Sequence, residues 1–294
     1  MTESVEDIIL SHDRRGISTL RKHLPAGFCH EAAAFALDRA RQHKRRIMIA
    51  SGFYVHDAAA AETDGPPGAL AMGRAFDALD FDVIYVTDCH AAPLLSSDLT
   101  GPTRVIDFPI ADHDASRRFA REVLADVQPS LLISIERPGF NSSQRYLNMA
   151  GQDITAYTAK IDYLFLDGMN TVGIGDGGNE IGMGNVAQHI TSAEILPQDP
   201  AVTEVDRLVI AAVSNWGAYG LVAALSRLVR RNLLPSVEWE REAIDEMVAR
   251  GAVDGVSGGR WSAVDGFDLE QNSWALTQLH RVLKDVPQDR RAML

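Results

Sequence analysis

The sequence predicts an α/β fold, a doubly wound, mostly parallel sheet with helices on both faces. Three observations predict it. Short β-branched runs alternate with amphipathic stretches of helical length, the pattern of strands joined by crossover helices. Runs such as Leu131-Leu132-Ile133 and Leu208-Val209-Ile210 lack the polar alternation of a half-exposed strand, as expected when helices cover both faces. At 294 residues, without internal repeats, the chain suits one large domain over 1–294.

The elements follow in order. A helix over His30–Arg41 precedes the first strand, Arg46–Ala50. The helix Pro67–Leu79 opens on prolines, which the first helical turn favours, and leads to strands Val83–Thr87 and Arg104–Phe108. Helix Ala115–Val127, strand Leu131–Ile135, helix Thr155–Leu166 and strand Thr171–Ile174 continue the alternation. A helical turn at Asn185–Ile190 and a strand at Leu208–Val213 come next. Helices Ala218–Val229, Trp239–Arg250 and Leu269–Leu283 close the chain. Glycines break the pattern at residues 251–268, which read as a small β-hairpin addition.

Composition excludes several classes. Hydrophobic residues make up 46% and charged residues 23%, a globular balance. A formal net charge of −12 argues against nucleic acid or an anionic membrane as partner. The basic clusters at Lys44-Arg45-Arg46, Arg117-Arg118 and Arg230-Arg231 fall on helix faces or ends and read as solvated surface. Two distant cysteines, Cys29 and Cys89, form neither a disulfide framework nor a zinc pattern. The first residues lack a signal-peptide pattern, and the longest apolar run, Leu208–Val213, is too short to span a bilayer. A cytoplasmic protein is expected, free to form a homo-oligomer.

Residues 173–184 carry most of the functional signal. Six glycines in twelve positions let the backbone turn sharply, and they frame Asp176, Asn179 and Glu180. Gly173, Gly175 and Gly178 match the dinucleotide fingerprint, with Glu194 at a ribose-contact distance. Two carboxylates where a pyrophosphate should lie argue against NAD. A purely structural glycine turn is the plainer alternative. The four lysines, Lys22, Lys44, Lys160 and Lys284, do not sit at strand ends, so pyridoxal phosphate is not expected.

Other unusual segments also follow strands: Ser51-Gly52-Phe53, Asp88, Glu136-Arg137-Pro138-Gly139 and Ser214-Asn215-Trp216-Gly217. In open α/β sheets, ligands bind outside the carboxyl ends of the strands. The long loop after Phe53 adds His56, Glu62 and Asp64. Structural roles stand beside functional ones here. Asp64 could cap the helix at the prolines, Asn215 could cap its own helix, and Glu136 could pair with Arg137. Glu62, Asp64, Glu136, Asp176 and Glu180 nevertheless converge on one crevice if the sheet is as predicted. Carboxylates that close either raise one another's pKa or share a cation. Oxygen donors without cysteine or paired histidines favour Mg²⁺ or Mn²⁺.

Taken together, these segments resemble the D-glutamate cyclase C-terminal domain family. The matching blocks are Ser51-Gly52-Phe53 with His56, Glu62 to Ala69, Glu136-Arg137 with Gly139, Gly173 to Gly184, Val213 to Gly217, and Gly255 to Gly258 with Val264 to Gly266. They run in the family's order over about residues 46–270. Ser142 and Ser143 replace an Asp-Gly pair of relatives, and Ala150 replaces a frequent Arg; these departures bear on the substrate.

The resemblance implies cyclodehydration of D-glutamate to 5-oxo-D-proline, a lyase reaction on a small acidic metabolite. It implies Glu136, Asp176 and His56 as catalytic groups. Arg137 would anchor the α-carboxylate, Asn179 and Asn215 would orient the substrate, and the N–H groups of Gly177 and Gly178 would meet its oxygens. Asp176 and Glu180, helped by Asp64 or Glu62, would hold Mn²⁺ or Mg²⁺. A Mn/Mg-dependent phosphohydrolase and a non-enzymatic metabolite sensor are the alternatives.

Overall fold

A computed structural model describes residues 4–42, 44–96, 104–193 and 196–289; Glu194 lies outside them. Six strands form one parallel sheet: β1 Arg46–Ser51, β2 Asp82–Thr87, β3 Arg104–Asp107, β4 Leu131–Ile135, β5 Thr171–Gly175 and β6 Arg207–Ile210. Their spatial order is β3-β2-β1-β4-β5-β6. The order reverses between β1 and β4, so crossovers leave the two strands in opposite directions. Right-handed crossovers then lay helices on opposite faces and leave a crevice at the carboxyl ends. The register sets Ser51 beside Ile135 and Ile135 beside Ile174, which brings the residues just beyond the three strands together. All residues of β4 and β5 are buried, as expected of central strands covered by helices on both faces.

The helices are α1 Val5–Ile9, α2 Phe28–Ala40, α3 Pro66–Asp77, α4 Ala92–Leu95, α5 His113–Val127, α6 Asp162–Asp167, α7 Ala187–Ile190, α8 Ser214–Val229, α9 Val237–Ala249 and α10 Leu269–Val282. Helix α8 packs against α1, α2, α3 and α10, and residues 214–226 of it are all buried. A helix that is mostly apolar around its circumference belongs inside. Helices α5 and α6 pack together. No described helix is long and apolar enough to cross a membrane.

Three elements differ from the sequence expectation. The strand expected to reach Val213 ends at Ile210, because Ala212 donates its N–H to Ile9 of α1. Helix α8 then starts at Ser214 instead of Ala218, because the Asp64 carboxylate takes the Ser214 and Asn215 N–H groups. The helix expected over Thr155–Leu166 splits into a 3-10 turn at Thr155–Tyr157 and α6. Between them the Ala159 backbone is drawn out by Arg137 and Asp88. The 251–268 region keeps only a two-residue pairing of Ala263–Val264 with Phe267–Asp268, turned at Asp265 and Gly266.

Candidate active site

A cavity of about 280 Å³ opens outside the ends of β1, β4 and β5. Arg15, Phe53, Tyr54, Glu62, Glu136, Asp176 and Asn179 line it, with residues 148–150 and Gly255-Val256. The loops after β4 and β5 are tied by Ile181 N–H donating to Arg137 O and Gly139 N–H donating to Asn179 O, both at 2.9 Å. That tie fixes Glu136 and Asp176 against each other.

Glu136 is the first residue beyond β4 and has φ +45°, a left-handed conformation that a Cβ disfavours. Its N–H still donates to Ile174 O, so the sheet pairing runs on while the chain turns. Ser214 Oγ donates to Glu136 Oε2 at 2.6 Å. Burial, then Glu180, Asp64 and Glu62, push its carboxyl well above the usual range, against the pull of Arg15. Burial and the neighbours Asp265 and Asp64 raise Glu62 in the same way. A Cβ at Gly255 would collide with the Glu62 carboxylate, so a larger residue there would displace that side chain.

Asp64 caps α8 rather than its own helix α3. Oδ1 accepts from Gly65 N at 2.9 Å and Asn215 N at 2.8 Å, and Oδ2 from Ser214 N at 2.9 Å. Burial and Asp265 raise its carboxyl to about 7, although those N–H groups and Arg15 favour the anion. Gly65, at φ +97°, lets the loop pass: a Cβ there would lie 2.7 Å from Glu136 Cβ and from Ser51 Oγ.

The glycine loop closes around its own acid. Glu180 accepts from Asp176 N at 3.0 Å, Gly177 N at 2.6 Å and Gly178 N at 2.7 Å. The N–H groups of Gly177 and Gly178, expected to meet the substrate's oxygens, are engaged by Glu180 in this structure. Asp176 is 1% exposed, pairs with Arg15, and has no hydrogen bond on either oxygen. Burial lifts its carboxyl well above the usual range; Arg15 opposes this, and Glu136 and Asp265 add to it.

Arg137, Asn215 and His56, expected at the substrate, have other partners in the structure. Arg137 is buried and does not line the cavity; it donates to Gly52 O at 2.8 Å, Asp88 Oδ2 at 2.6 Å and Ala159 O at 2.9 Å. Asn215 Oδ1 accepts from Gly65 N and Gly68 N while Nδ2 donates to Thr63 O, which ties the 62–68 loop to α8. His56 stands outside the cavity lining, its Nδ1 2.9 Å from Gln152 Nε2 and its ring edge on Tyr157. Asn179 does line the cavity, and its Nδ2 donates to Leu147 O at 2.9 Å. Ala150 lines it too, whereas Ser143 belongs to a turn on Asn141.

Two site residues escape the strand-end rule. Arg15, from the N-terminal segment, pairs with Asp176 and with Asp265 Oδ1, the latter at 2.7 Å. Asp265 sits in the two-residue turn of the hairpin, held by Asp254, whose Oδ1 accepts from Gly266 N at 2.7 Å. The sequence signals for Asp265 are its Asp-Gly turn and its place in the Val264 to Gly266 block; Arg15 has none. Two acid triads have oxygens within 4.8 Å of one another: Asp64, Asp176 and Asp265, and Glu136, Asp176 and Glu180. Asp176 belongs to both and Glu62 to neither. Oxygen-only donors with unsatisfied capacity fit a hard divalent cation.

A six-stranded sheet in this order, with a carboxylate-lined cavity at the reversal of strand order, defines a doubly wound α/β domain whose cavity lies where ligands bind in open sheets of this kind. The family model described as D-glutamate cyclase-like, C-terminal, matches residues 5–280, and the chain belongs to that family. The match takes in the N-terminal segment that carries Arg15, beyond the 46–270 stretch of the recognised blocks. The chain is similar to the mitochondrial D-glutamate cyclase of Homo sapiens, 30% identical over 281 residues. That match covers 80% of this chain and 45% of the human protein, so the chain spans less than half of that relative's length.

Proposed function

We propose that the protein is a lyase that cyclises D-glutamate to 5-oxo-D-proline with loss of water. One observation carries the reading beyond family membership: buried carboxyl groups of raised pKa surround a cavity whose lining holds a single guanidinium, Arg15. Such a lining suits a zwitterion, its ammonium against Glu62 and Glu136 and a carboxylate against Arg15. The volume of about 280 Å³ lies just below the roughly 300–1,000 Å³ of sites for drug-sized ligands, which suits a small metabolite.

In the reaction the amine nitrogen bonds to the γ-carboxyl carbon and one C–O bond breaks. The ammonium gives up two protons, and the departing oxygen leaves with both as water. Carboxyls that repel one another divide these tasks. An ionised Glu136 takes one proton from the ammonium, and a protonated neighbour, Glu62, supplies one to the departing oxygen. Glu62, now ionised, takes the second proton from nitrogen and Glu136 passes its own to the oxygen, which restores both acids. The folded-back substrate held between Arg15 and these acids gains from proximity. Mn²⁺ or Mg²⁺ would be held by Asp176 with members of either triad and would supply Lewis-acid polarisation of the γ-carboxylate. We place the protein in a reducing compartment, the cytoplasm in our reading, where Cys29 and Cys89 stay free thiols.

Incubation with D-glutamate, with and without Mn²⁺, should release 5-oxoproline. If phosphomonoesters turn over with Mn²⁺ while D-glutamate stays intact, a metal-dependent phosphohydrolase replaces the lyase. Tight binding of an acidic metabolite with no turnover of either substrate points to a sensor.

A further inference from the structure

Arg15 puts one guanidinium where two buried carboxylates need a cation. Nη1 pairs with Asp176 Oδ1, and Nη2 with Asp265 Oδ1 at 2.7 Å. The backbone beneath it is fixed. The Asp13 carboxylate accepts the N–H groups of Arg15 at 2.9 Å and of Gly16 and Ser18 at 2.8 Å. Arg14 lies 3.6 Å above the Phe267 ring and donates to Gly266 O, which pins the other side of the segment. Any movement therefore belongs to the Arg15 side chain alone. That side chain is 22% exposed, against 1% for Asp176 and 5% for Asp265, so it can withdraw into the cavity while the acids stay.

The acids keep unused capacity. Oδ2 of Asp176 and Oδ2 of Asp265 are buried without a hydrogen-bond partner. Together with Asp64 they bring oxygens within 4.8 Å of one another, a span that a divalent ion can close. A guanidinium on the Oδ1 atoms and a divalent ion on the same two carboxylates exclude one another, because like charges a few ångströms apart in a buried site repel strongly.

We propose that Arg15 is a tethered counter-cation: it holds Asp176 and Asp265 together until a divalent ion binds, then yields them and turns to the substrate's carboxylate. Only that last step rests on the cyclase reading. Arg15 thus acts as a built-in competitor that weakens metal binding and keeps the cluster folded without metal.

Titration calorimetry with Mn²⁺ on chelator-treated protein tests this, using wild type, Arg15→Met and Arg15→Lys. Arg15→Met should bind Mn²⁺ at least tenfold more tightly than wild type. Its metal-free melting temperature should fall by several degrees and recover at saturating Mn²⁺. Arg15→Lys cannot bridge both acids with one ammonium, so it should bind roughly threefold more tightly than wild type. If Arg15→Met does not fold, Arg15→Lys decides. Equal or weaker binding by the variants overturns the proposal, as does an absence of Mn²⁺ binding in wild type and variants alike. Tighter binding by the variants, with D-glutamate untouched by wild type, supports the counter-cation and removes the cyclase reading.

Discussion

Arg137 and Arg15 both meet buried carboxylates near the ends of the central strands, yet their surroundings differ. Arg137 is closed in by Gly52 O, Asp88 and Ala159 O, and only its Nε lacks a partner. Its acid is also satisfied, since Asp88 accepts from His90 N and Ala159 N as well. Arg15 bridges Asp176 and Asp265, each of which keeps an unpartnered oxygen beside a cavity. Burial of charge does not separate the two regions. Unused hydrogen-bonding capacity facing a cavity does, because an unsatisfied buried carboxylate is costly unless something else comes to meet it.

The largest effect expected from this comparison is on the closed side. Arg137→Met should destabilise the protein by about 3–5 kcal/mol, the range for breaking a buried pair and stranding its partner. Urea denaturation measures it; a variant as stable as wild type but unable to bind substrate would return Arg137 to the binding site.

On the open side, Glu136→Gln should keep its fold and lower kcat/KM for D-glutamate by about a hundredfold or more, the scale of a lost acid–base group. Retained activity in a folded variant would break the assignment.

A buried network behind α8 sharpens the contrast through pH. Glu240 Oε1 accepts from Asn272 Nδ2 at 3.0 Å, and Asn272 Oδ1 accepts from Trp216 Nε1 at 3.1 Å. Burial lifts the Glu240 carboxyl from 4.5 to about 7, against the hydrogen bonds that favour its anion. Between those values the folded protein keeps a proton that the unfolded chain has lost. Stability from this group is therefore greatest at the acid end and falls as pH rises towards 7. The full span is about 3 kcal/mol. Glu240→Gln should remove most of that span, about 2.5 kcal/mol, from the difference in unfolding free energy between pH 5 and pH 8. An unchanged difference would exclude Glu240 as its source.

Asn215→Ala should cost about 2 kcal/mol, because it takes the partners from the Gly68 N–H and the Thr63 carbonyl inside the protein. The smallest effect is expected at His56, which faces Gln152 and Tyr157 instead of the acids. His56→Ala should change kcat/KM by less than about threefold, against the hundredfold scale of a lost acid–base group. A larger loss would bring the histidine back into the chemistry.

What the sequence by itself determined is the part written in local pattern. Short apolar runs between amphipathic stretches specified six parallel strands, the central ones buried, and their order along the chain put glycines and acids at the carboxyl ends. Glu62, Glu136 and Asp176 were legible for that reason: each lies in a loop that leaves a strand. Tertiary structure alone decided which donor reaches which acceptor. Arg15 meets Asp265 across 250 residues, Asp64 caps a helix 150 residues away, and Arg137 turns from the cavity to Asp88. Periodicity records how a backbone segment satisfies its own hydrogen bonds and buries one face. It holds no record of the distant carboxylate or carbonyl that captures a side chain, because that choice is made by long-range packing and charge.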